Sequence, residues 1–104
     1  MTSELALEYT RRRMKEMGYE NYLLRFRHLV LKVSEIRMIT GYNQIYLLIE
    51  PTQGVRIESD VGLFDGSENH ANELQYEHRG IIRIANLSPS IISVRFLQAI
   101  PNIK

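Results

Sequence analysis

Gln44-Ile45-Tyr46-Leu47-Leu48-Ile49-Glu50 sets five consecutive apolar residues between two polar ones. Successive side chains of a strand point to opposite faces, so a strand here is apolar on both. Such a strand belongs in the interior of a sheet, covered on two sides. It is the densest apolar run in the chain, and it falls far short of the ~20 residues that a membrane-spanning helix needs.

Outward from this run the chain reads as turns and alternating strands. Before it, Thr40-Gly41-Tyr42-Asn43 reads as a short hairpin-type loop, and after it Pro51-Thr52-Gln53-Gly54 reads as a turn. In residues 55–63, Val55, Ile57, Val61 and Leu63 alternate with Arg56, Glu58 and Asp60, as in a half-buried strand. Residues 74–86 resume strand character, with Gly80 inside them as a bulge or a point of close approach. Ile92, Val94 and Phe96 alternate with Ser93 and Arg95 in a last strand closed by Pro101. Upstream, Tyr22, Leu24 and Phe26 form one apolar set, Leu29, Leu31 and Val33 another of opposite phase, and Ile36 and Met38 a third. A one-residue slip exchanges the faces of a strand, so each flip predicts a bulge, a break or a change of sheet. A helical stripe through Tyr22, Phe26, Val30 and Val33 competes, but the density of β-branched and aromatic residues favours strand.

The first segment reads differently. Ala6, Leu7, Thr10, Met14 and Met17 share one side of a helical wheel, with Glu8, Arg11, Arg12 and Lys15 opposite. Acidic residues come early and basic ones late, the order that the helix dipole favours, and Gly18 follows as a C-terminal stop. The expected fold is therefore α+β: a single domain over residues 1–104, with an N-terminal helix and then five or six mainly antiparallel strands in a sandwich or partly open barrel.

Composition narrows function mainly by exclusion. There is no cysteine, so disulfides, thiolate metal sites and a cysteine nucleophile are out; with no secretory signal in view, this points to a cytoplasmic protein. The net charge is +1, with eight Lys/Arg against five Asp/Glu in residues 1–40 and five against seven in residues 41–104. No nucleophile elbow, phosphate-binding glycine loop, zinc signature or dinucleotide fingerprint is present, and no cofactor is expected.

Two clusters remain. Residues 65–73 (DGSENHANE) bring Asp65, Glu68, His70 and Glu73 together, donors suited to a hard cation or to acid–base work, although their spacing matches no metal signature and a solvated loop collects the same residues. Arg11, Arg12, Arg13 and Lys15, joined by Arg25 and Arg27, are candidates for contact with nucleic acid or another anion; three consecutive arginines, however, splay around a helix and cannot all face one phosphate backbone. His78, between Glu77 and Arg79, reads as a partly buried histidine held by neighbours.

Three functions follow in order. First is a non-enzymatic protein-interaction or structural module that forms a homo-oligomer, in the simplest case a dimer, or binds another protein; one short helix is too little cover for strands apolar on both faces. Second is a nucleic-acid binder using the basic N-terminal half. Third is a small enzyme or metal-binding protein using the loop 65–73.

Overall fold

Thr2 starts the first element. Its hydroxyl accepts a hydrogen bond from the Leu5 N–H at 3.2 Å and caps α1 (Ser3–Glu16). At the other end Gly18 takes φ +85°, and its N–H and that of Tyr19 return to the carbonyls of Lys15 and Met14 at 3.0 and 2.9 Å. This paired closure satisfies the last helical carbonyls and needs a residue free to adopt a left-handed backbone. The computed structural model describes residues 2–50, 53–65 and 76–102, and places six strands after the helix: β1 (Tyr22–Leu31), β2 (Ile36–Glu50), β3 (Val55–Ser59), β4 (Gly62–Asp65), β5 (Glu77–Asn86) and β6 (Ile92–Pro101).

All six join one open antiparallel sheet in the order β1-β6-β2-β5-β3-β4. β2 is interior, and residues 45 to 49 are buried without a break, as a strand apolar on both faces requires. One face carries Ile45, Leu47 and Ile49 against the helix, which contributes Ala6, Tyr9 and Met14; Leu97 and Ala99 of β6 complete this layer. The opposite face carries Tyr46 and Leu48 into a cluster with Leu31, Val55, Ile57, Phe64, Ile82, Ile84, Val94 and Phe96. All six strands supply that second cluster, so the sheet coils around it.

β2 can serve both halves of the sheet because it is interrupted. Gly41 pairs with Gly80, and the next pairing joins Tyr46 to His78, so β2 advances five residues while β5 advances two. An odd excess exchanges the faces of the strand: Ile39 before the irregularity and Tyr46 after it both reach the all-strand cluster. Asn43 sits within it at φ +60°. Residues 40–43 are thus not the hairpin loop that the sequence predicts but the irregular middle of one long strand.

The phase flip inside residues 22–33 has another cause than a bulge. β1 pairs with β6 in unbroken register from Tyr22↔Pro101 to Leu31↔Ile92. Tyr22 and Leu24 pack on the helix side, whereas Leu29 and Leu31 pack into the all-strand cluster on the other face. The helix covers one face of one half of the strand, and the coiled sheet covers the other face of the other half. The flip at Ile36 does mark a break, the turn at residues 32–35, yet Ile36 and Met38 are 61% and 57% exposed rather than core. Val61 and Leu63 are also exposed; residues 55–65 form the hairpin β3–β4, whose buried members are Val55, Ile57 and Phe64.

Candidate functional site

Glu77, the first residue of β5, is 4% exposed and accepts hydrogen bonds from the Tyr9 hydroxyl at 3.0 Å and from Arg13 Nε and Nη2 at 2.8 and 3.4 Å. Arg79 Nε lies 3.6 Å from its other oxygen. Burial on its own pushes this carboxyl up; the hydrogen bonds from Arg13 and Tyr9 and the charges of Arg13 and Arg79 outweigh it, and the group titrates below the ordinary glutamate value. The same bonds raise the affinity of Arg13 for its proton, with Glu16 adding a second pair at 2.8 Å. This network fastens the helix to the sheet by a charged fork in addition to apolar contact.

Beside it opens a cleft of about 410 Å³ between the end of the helix and the irregular stretch of β2, lined by Met14, Met17, Tyr42, Asp60, Arg79 and Gly80 among others. Asp60 closes over Gly80: its Oδ2 accepts from the Ile81 N–H at 3.4 Å, and a Cβ built on Gly80 would lie 1.9 Å from that oxygen. Gly80 takes φ +80°, so space and backbone both demand glycine. The cleft offers one carboxylate and one guanidinium on mixed walls, with Asn43, Gln44 and two tyrosines beside Met14, Met17, Ile45 and Val61. Among its described lining residues there is no histidine, serine, threonine or lysine; its oxygen groups that could take part in acid–base chemistry are those of Asp60, Tyr19 and Tyr42. His78 is fully buried outside it, with Nδ1 2.8 Å from the Ser59 hydroxyl, closer to a core histidine than to a site residue.

The basic residues do not converge. Arg12 stacks over the Tyr9 ring at 5.4 Å, Arg13 is engaged by Glu77 and Glu16, and Arg11 and Lys15 are exposed on the helix. Arg25 and Arg27 are odd-numbered residues of β1 and share the face opposite the helix, where Arg27 Nη1 donates to Gln98 Oε1 at 3.2 Å. The sheet thus separates the two basic groups. Of the acidic candidates, Asp65 ends β4 opposite Arg56, and Glu68, His70 and Glu73 lie outside the described residues. Among the described residues no three His, Asp or Glu approach closely enough to hold a metal ion, and no helix is long and apolar enough to cross a membrane.

Which strand forms the long edge of the sheet was not read from the sequence. β1 ends the strand order, is ten residues long, and leaves Leu23, Phe26 and Val30 exposed. Phe26 and Val30, at 51% and 54%, lie on the helix side of the sheet beyond the reach of the helix. A signal existed in the sequence: the even-numbered apolar set continues through Val30 after the odd-numbered set begins, so that part of β1 is apolar on both faces with cover for one. Comparison with family models, with curated proteins and with solved structures gives no match.

Proposed function

We propose that this chain is a non-enzymatic protein-interaction module that pairs with a second copy of itself through the outer edge of β1. The observation that carries this reading is a ten-residue edge strand, regular throughout, with half-exposed Phe26 and Val30 on one face. Strand edges present unpaired amides and carbonyls, and proteins that avoid association shorten, bulge or charge them. β4, the opposite edge, is four residues long and fits that pattern; β1 is long and unbulged, and its two arginines, Arg25 and Arg27, lie on the face away from Phe26 and Val30. The coiled sheet, read as a partly open barrel, is the rigid platform that presents the edge. Freedom from cysteine fits work in the cytoplasm.

Light scattering after size exclusion tests the reading. Down to low micromolar concentration the expected mass is twice the 12.2 kDa of one chain, and Phe26→Lys should return it to that of one chain with the melting transition preserved. A one-chain mass for the wild type at every concentration overturns the proposal.

A further inference from the structure

Resting on that self-association, we infer that two β1 strands pair antiparallel about a two-fold axis that passes through His28, joining two six-stranded sheets into one of twelve. A two-fold axis normal to the sheet keeps each face on its own side, so opposed residues must be both even-numbered or both odd-numbered. Within β1 the axis then falls on a residue, and the charges choose which. With the axis at Arg25 or Arg27, an arginine faces its own copy; at Phe26, Arg25 faces Arg27 of the second copy twice over. Like charges directly opposed oppose pairing. An axis at Leu24 or Leu29 pairs only a short end of β1 and leaves Phe26 opposite Tyr22 or Lys32.

An axis at His28 removes these conflicts. Phe26 faces Val30 of the second copy, and Val30 faces Phe26, so the exposed apolar side chains on the helix side of the edge form two aromatic–aliphatic pairs. On the other face Arg25 lies opposite Leu31 and Arg27 opposite Leu29, so neither arginine faces a second arginine. Residues 25–31 of each copy are paired. Arg37 Nη2 donates to the Val30 carbonyl at 2.9 Å, and that oxygen retains a second lone pair for the partner strand.

The absence of cysteine makes this directly testable by cross-linking. Opposed residues of antiparallel strands have Cα atoms about 4.5–5.5 Å apart, within disulfide range, whereas a residue one position from the axis sits about 8 Å from its copy, beyond that range. Phe26→Cys, Arg27→Cys and His28→Cys would be oxidised separately with diamide and followed by non-reducing electrophoresis. H28C should become the covalent dimer, and F26C and R27C should remain mostly one-chain. A mixture of F26C with V30C, which leaves His28 intact, should cross-link as the heterodimer. If F26C or R27C forms the dimer faster than H28C, or the F26C and V30C mixture fails while the wild type keeps its doubled mass, the axis is refuted and the self-association stands. A wild type of one-chain mass refutes both.

Discussion

Glu77→Gln isolates the charge of the helix–sheet fork. Glutamine keeps the volume of the side chain and can still accept from the Tyr9 hydroxyl, so no cavity accompanies the change. What is lost is the carboxylate between Arg13 at 2.8 Å and Arg79 at 3.6 Å. Hydrogen bonds to charged groups contribute about 1.5–3 kcal/mol, and stranding the partner of a fully buried pair costs about 3–5 kcal/mol. Arg13 is a quarter exposed and keeps Glu16, so the stranding cost is only partly felt. The expected loss is about 2–3 kcal/mol near pH 7. The pH dependence supplies the sharper test. The folded carboxyl titrates below the ordinary 4.5, so its stabilisation is complete above that value and disappears as pH falls through the folded one, because the unfolded chain takes up the proton first. The wild-type advantage over the variant should shrink from about pH 7 to about pH 3.5 in urea unfolding followed by far-ultraviolet circular dichroism. A gap below about 0.5 kcal/mol at neutral pH, or one that stays constant on acidification, would refute the reasoning.

Three further outcomes are expected. Leu47→Ala, in the buried run of β2, should cost roughly 2–5 kcal/mol by chemical denaturation, and Arg56→Ala on the exposed face of β3 less than about 1 kcal/mol; equal losses contradict the burial pattern. Gly80→Ala should destabilise by more than about 1 kcal/mol from backbone strain alone, and adding Asp60→Ala should recover the steric part but not the rest. Replacing Glu68, His70 and Glu73 together by alanine should change stability by less than about 1 kcal/mol, with no divalent-metal shift of the wild-type melting temperature; a larger loss or a metal-dependent shift revives the metal reading.

The sequence made β2 legible because five apolar residues in a row leave a strand only one kind of place in a sheet. α1 was legible through Thr10 and Met14 on its stripe and Gly18 at its end. Periodicity misled where it was asked about the backbone. It reports which face is covered, and in β1 the cover changes sides between Leu24 and Leu29 while the strand runs straight. Residues 40–43, where the irregularity of β2 begins, read as a hairpin-type loop because glycine and asparagine mark either. Ile36 and Met38 stand out by alternation, which cannot tell a buried face from an exposed apolar one, and here the face is exposed. The Glu77 fork left no local mark, since Arg13 and Tyr9 stand more than sixty residues away.

The place of β6 between β1 and β2 has a consequence for how the molecule assembles. Every β1 pairing joins residues roughly 60 to 80 positions apart, and α1 rests on a layer that β6 helps to build. Closing loops of that length before any contact compensates for them places such topologies among the slower-folding domains, on a scale of milliseconds to seconds. During synthesis, β1 emerges early and waits for the strand that will flank it. Its apolar residues Leu29 and Leu31 remain open to solvent until Val94 and Phe96 arrive, and in that interval both long sides of β1 are unprotected. A pulse of hydrogen exchange during refolding should therefore label β1 and β6 together and late, after the hairpin of β3 and β4 has become protected.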